Sequence, residues 1–116
     1  MLRRKKRLST QILRRFVGFY SLNSILSSHT PTLVEVYASW CPHCRNMAPI
    51  VDNLKERYAG KVNILQFDGD AHPQIDETFR VSSYPTWILY SGNRELWRDT
   101  GEKRPDELAA MLHSVI

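Results

Sequence analysis

Leu33-Val34-Glu35-Val36-Tyr37-Ala38-Ser39-Trp40-Cys41-Pro42-His43-Cys44 decides the reading of this chain. A strand-like apolar run ends at two thiols two residues apart, and a helix-like stretch begins at the same point. Such a pair closes into a small disulfide ring and opens again, which is redox chemistry. At a helix start the unpaired backbone N–H groups and the positive end of the macrodipole favour negative charge on the first sulfur, so Cys41 is the expected thiolate. Pro42 suits the first helical turn because it has no N–H to leave unpaired and its φ is already helical. Cys44 then sits one turn inward as the resolving thiol.

Three other uses of the cysteines compete with this one. A structural zinc site needs four ligands, and the chain offers two cysteines with His29, His43, His72 and His113, none spaced as a second ligand pair. No metal is expected. A c-type haem site needs His directly after the second cysteine, where this chain has Arg45. A static disulfide is the bland alternative, but so short a ring removes little chain entropy and makes a poor staple.

Beyond the two cysteines, the chain resembles the thioredoxin superfamily over residues 10–116. Val34 to Cys44 is similar to the active-site strand and turn of a protein disulfide isomerase domain, the likeness being closest to an isomerase-like thioredoxin domain. Arg45-Asn46-Met47-Ala48-Pro49 follows the family's helix with its internal proline. Val81-Ser82-Ser83-Tyr84-Pro85-Thr86 matches the segment carrying the family's cis-proline, and Gly101 falls where the family has a glycine after its last strand. The resemblance implies a central mixed β-sheet flanked by helices on both faces.

Composition agrees. A chain of 116 residues with 42% apolar content buries one core and is too short for two ordinary domains. Charge is uneven: the first 34 residues hold seven Lys/Arg and no acid, and the other 82 hold nine Lys/Arg against twelve acids. The organisation expected is a basic arm over 1–9 and one domain over 10–116.

Periodicity places a strand over Thr10–Val17 and a short helix over Phe19–Leu26. A buried strand follows at Thr32–Ala38, then a helix from Cys41 to about Tyr58 with Met47, Ile50, Val51, Leu54 and Tyr58 on one face and a kink at Pro49. Next come a strand at Val62–Phe67 and a helix at Pro73–Phe79. Strands at Trp87–Tyr90 and Glu95–Arg98 form a hairpin through Ser91-Gly92-Asn93-Arg94. Pro105 opens a last helix with Leu108, Met111, Leu112 and Val115 as its buried stripe.

Glu35, between Val34 and Val36, is costly in a central strand unless paired or protonated, and burial raises its pKa. Six residues before Cys41, it has the place of the buried acid that thioredoxin-like proteins keep beneath the second cysteine. The resemblance implies that Glu35 relays the proton of Cys44. Thioredoxin pairs this acid with a lysine on the next strand, and the matching residue here is Gln66. The bland alternative is a strand-edge glutamate reaching solvent.

His43, between the thiols, is a donor near the sulfur that stabilises the thiolate and favours oxidising power. With Pro42 it resembles the bacterial periplasmic disulfide oxidase, whereas thioredoxins usually carry Gly-Pro and isomerases Gly-His. The resemblance further implies a cis bond before Pro85, with the Tyr84 backbone beside Cys41 pairing an extended substrate strand. Trp40 and Tyr84 are expected to rim an apolar groove, the alternative for either being plain core packing. Lys103 and Arg104 read as a solvated helix start.

The Arg-rich, acid-free N-terminus resembles a transit peptide and leans toward a targeted or oxidising compartment. Yet Phe16–Leu26 is too interrupted by Gly18, Ser21, Asn23 and Ser24 for a secretory core. The arm's basic charge could meet a membrane surface, but without interleaved aromatics or a recognition motif a merely solvated basic tail is the favoured reading and no nucleic acid partner is expected.

These readings converge on a thiol–disulfide oxidoreductase that forms a mixed disulfide at Cys41, resolved by Cys44, with the oxidase or isomerase direction favoured over reduction. Its expected partners are protein or peptide thiols and disulfides, with a redox protein or glutathione completing the cycle. The chain is expected to be a monomer with no cofactor. The alternative is a redox-inert peptide-binding module anchored by its basic arm.

Overall fold

Everything in the sheet is built on β1 (Thr32–Tyr37), whose Leu33, Val34 and Val36 are completely buried. A strand covered on both faces reads as a nearly continuous apolar run, as this one does. The computed structural model describes residues 29–116. The strand expected over 10–17, the helix over 19–26 and the arm over 1–9 lie outside the described residues. After β1 come α1 (Pro42–Arg57), β2 (Asn63–Asp68), α2 (Pro73–Phe79), β3 (Thr86–Ser91), β4 (Arg94–Thr100) and α3 (Pro105–His113).

The sheet order is β2-β1-β3-β4. β1 pairs in parallel with β2, a connection that needs the α1 crossover, and antiparallel with β3. β3 and β4 form the expected hairpin. Its turn is Gly92-Asn93, with Gly92 at φ 61°, and the register slips between Leu89 and Tyr90.

Alternation along the strands divides the core in two. Leu33, Trp87 and Leu89 face α1 and α3, where Met47, Val51, Leu54, Tyr58, Leu108 and Leu112 close over them. Val34, Val36, Ile88 and Tyr90 face α2, packed against Ile75 and Phe79. Helices thus cover both faces of a mixed sheet, the thioredoxin fold that the resemblance implied. Ile50, Met111 and Val115 lie at the margin of the first core rather than inside it.

One expectation at α1 changes. The helix begins at Pro42, and Cys41 is its N-cap with extended backbone (φ −80°, ψ 118°). Pro49 lies inside a helix that runs on to Arg57; lacking an N–H, it removes one bond from the ladder without ending the helix.

Candidate active site: a thiol pair at a helix start

At the N-terminus of α1 the backbone is turned so that its free donors meet sulfur. The Cys41 N–H donates to the Ala38 carbonyl at 3.1 Å, and the Cys41 carbonyl accepts from the Arg45 N–H at 3.1 Å. Pro42 occupies the first helical turn, which contains no acidic residue. Both cysteines are free and buried, 4% and 6% exposed. The Cys41 thiol donates to the Tyr84 carbonyl at 3.7 Å, a weak bond across 43 positions of chain.

The thiols are driven apart electrically. Burial pushes Cys41 up, but the Cys44 N–H and thiol, the His43 N–H and the Arg45 charge outweigh it and hold Cys41 below the ordinary thiol value. Burial pushes Cys44 to about 12; Cys41 and Glu35 add to the rise against the opposing backbone bond from Ala38. Cys41 is therefore the readier of the two to ionise, and Cys44 the one that keeps its proton.

Glu35 lies on the α1 face of β1 and is 2% exposed, which removes the solvent-reaching alternative. Gln66, its register partner on β2, donates its amide to Glu35 Oε1 at 2.9 Å. Burial raises the Glu35 pKa, while the Gln66 bond and the charge of Lys55 on α1 oppose the rise. An amide thus stands beside the carboxylate where thioredoxin has a lysine.

Trp40 is 57% exposed and meets the Tyr84 ring edge to face, centroids 6.0 Å apart. The Tyr84–Pro85 peptide bond is cis. Tyr84 also packs against the small cluster of Ala38, Cys41 and Cys44, and its hydroxyl donates to Asp76 Oδ2 on α2. Burial and the Asp76 carboxylate raise the Tyr84 pKa well above the ordinary phenol value.

His43 is placed differently from the expectation. Its ring Nδ1 pairs with Glu102 Oε2 at 2.7 Å, and Asn46 Nδ2 donates to the same oxygen at 3.0 Å. What reaches Cys41 is the His43 backbone N–H, not the imidazole. Lys103 is not a solvated helix start either: its side chain is 10% exposed and paired with Asp99, and its N–H donates to Met47 Sδ at 3.4 Å. Arg104 does remain exposed, bonded to Asp106.

Glu102 and Asp76 were not legible as site residues. The available signal for Glu102 was its position directly after Gly101, but 59 positions separate it from His43. Gly101 has φ 89°, a conformation that suits glycine. Its N–H donates to the Pro85 carbonyl at 2.9 Å, and its carbonyl accepts from the buried Trp87 indole at 2.8 Å. This double anchor brings Glu102 to the start of α1. Among the described residues no group of three or more His, Cys, Asp or Glu side chains is arranged to hold a metal ion.

With this geometry in view, comparison with known proteins is unambiguous. The thioredoxin family model matches residues 20–114. The thioredoxin of Alicyclobacillus acidocaldarius is 35% identical over 86 residues, covering 74% of this chain and 82% of that protein. Thioredoxin 1 of Nostoc is 33% identical over 72 residues, 62% of this chain and 67% of that one. The crystal structure of the germline-specific thioredoxin Deadhead of Drosophila melanogaster superposes with a TM-score of 0.76 at 25% identity, covering 88% of this chain and 96% of that one. The thiol pair on this fold defines a thiol–disulfide oxidoreductase acting on protein disulfides. The chain belongs to the thioredoxin family.

Proposed function

We propose that the chain exchanges its thiol pair with protein disulfides in two steps. The Cys41 thiolate attacks one sulfur of a substrate disulfide; that S–S bond breaks, a Cys41–substrate disulfide forms, and the other substrate sulfur leaves as thiolate. Cys44 then gives its proton to Glu35 and attacks the Cys41 sulfur. The Cys41–substrate bond breaks, the substrate sulfur held in it leaves as thiolate and takes up a proton, and the substrate is left reduced with Cys41–Cys44 oxidised. Run backwards, the same steps donate a disulfide.

Two free thiols one turn apart, the inner one raised chiefly by burial and further by Cys41 and Glu35, carry this reading. Tyr84 and Pro85 supply the edge against which an extended substrate lies, and Trp40 its apolar rim. Pro42 and His43 modulate the pair. The domain spans 10–116, the basic arm 1–9 contacts a membrane surface, the protein is a monomer, and glutathione or a redox protein regenerates it. The redox-inert alternative leaves the free thiol pair without a purpose.

On direction, the relatives are plain thioredoxins, which favours reduction of protein disulfides. Pro42-His43 and the isomerase-like sequence around Cys41 and Tyr84-Pro85 favour donation or isomerisation as the second reading. Trapping tests the mechanism: Cys44→Ser should hold a protein substrate as a stable mixed disulfide, and Cys41→Ser should not. Equilibrium with glutathione decides the direction, a couple near the thioredoxin value of about −270 mV marking a reductant.

A further inference from the structure

His43 carries the only imidazole within the thiol loop, yet its ring is spent on Glu102 and only its amide serves Cys41. Glu102 is in turn held from two sides: Asn46 donates to the same oxygen, and Gly101 is fastened to Pro85 and Trp87. The carboxylate therefore approaches α1 from a fixed point rather than from a free loop. Arg45 on α1 acts on Cys41, and the two residues that follow Glu102 in the chain, Lys103 and Arg104, are paired with Asp99 and Asp106.

We propose that Glu102 is a positioning residue that captures the His43 imidazole and so keeps the ring away from the Cys41 sulfur. An imidazole released from this pair, next to Pro42, is a further donor to the thiolate, alongside the Arg45 charge. Stabilising the thiolate stabilises the dithiol form against the disulfide and makes the couple more oxidising. Glu102 withholds that effect, so a dipeptide suited to an oxidant is held in a thioredoxin-type site. The inference rests on Cys41 being the exchanging thiol, but not on any particular substrate or direction.

The test is a cycle of four full-length proteins: wild type, Glu102→Gln, His43→Ala and the double variant. Glutamine keeps the shape but removes the carboxylate charge that holds the ring. Two readouts need no protein substrate: the rate of Cys41 alkylation by iodoacetamide near pH 6, and the equilibrium constant with glutathione. An exposed pair has modest strength, so Glu102→Gln should raise both the rate and the oxidising equilibrium by about two- to fivefold. That corresponds to about 10 to 20 mV. The increase should vanish when His43 is already alanine.

No change in Glu102→Gln overturns the proposal. An equal increase with and without His43 also overturns it, because Glu102 then acts directly on the sulfur. Thermal unfolding of each variant verifies that the fold is retained, and Asn46→Ala should give a smaller change of the same sign. Wild-type turnover of a protein disulfide is measured separately, so that failure of the exchange reading is distinguishable from failure of this one.

Discussion

Gln66 donates its side-chain amide to the Glu35 carboxylate at 2.9 Å across the parallel β1–β2 pair, where the two residues are direct register partners. A neutral partner cannot offset the cost of a buried charge as a lysine can, so Glu35 keeps a raised pKa. The native state then holds a proton that the unfolded chain releases. Stability is fullest below the ordinary glutamate value and falls as pH rises through the window up to the raised native value. Glu35→Gln should flatten this slope and leave stability near pH 7 unchanged or higher, because an amide is cheaper to bury than a carboxylate. Turnover should fall on the order of a hundredfold with loss of the proton relay. Full activity with lower stability would give Glu35 a structural role instead. Urea unfolding at several pH values and turnover assays measure the two effects.

Cys41 and Cys44 should label very differently. With Cys41 below the ordinary thiol value and Cys44 raised to about 12, iodoacetamide near pH 7 should modify Cys41 faster by on the order of a hundredfold or more. Mass spectrometry of peptides after timed quenching reads the ratio directly. Equal labelling would remove the electrostatic asymmetry on which the exchange mechanism depends.

Replacing Pro42-His43 by Gly-Pro should make the couple more reducing. Proline at position 43 has no N–H, so one donor that holds down the Cys41 thiol disappears along with the imidazole. The potential should drop by tens of millivolts, about 30 mV for each 1.4 kcal/mol of thiolate stabilisation lost. Redox titration against glutathione measures it, and an unchanged potential would mean that the dipeptide does not tune this site.

Gly69→Ala should be costly although Gly69 lies outside the thiol loop. A Cβ there would meet Asp76 Oδ1 at 2.1 Å and Val36 Cγ1 at 2.9 Å, so the carboxylate that receives the Tyr84 hydroxyl must move. Overpacking of this kind costs about 1–3 kcal/mol. Turnover of protein substrates should fall with it, since the Tyr84 ring loses its anchor, whereas iodoacetamide labelling of Cys41 should change little. Wild-type stability in urea would show that the carboxylate has room to shift.

The sequence by itself determined the strand that ends at the thiols, the helix that starts there, the apolar faces of α1 and α3, the β3–β4 hairpin and the burial of Glu35. Each is written within a few consecutive residues as a period, a turn dipeptide or a charge between apolar neighbours, and local backbone geometry translates such patterns directly. Gln66 could be matched to the lysine position by resemblance, but its bond to Glu35 required the β1–β2 register, 31 positions apart. Only the tertiary structure decided that Glu102 takes the His43 ring, that Asp76 holds Tyr84 and that Lys103 is drawn inward to Asp99. Hydrogen bonds between polar side chains leave no periodic trace in the chain; the turn at Gly101 that brings Glu102 to the start of α1, and the seating of α2 beside Tyr84, select which donors and acceptors meet.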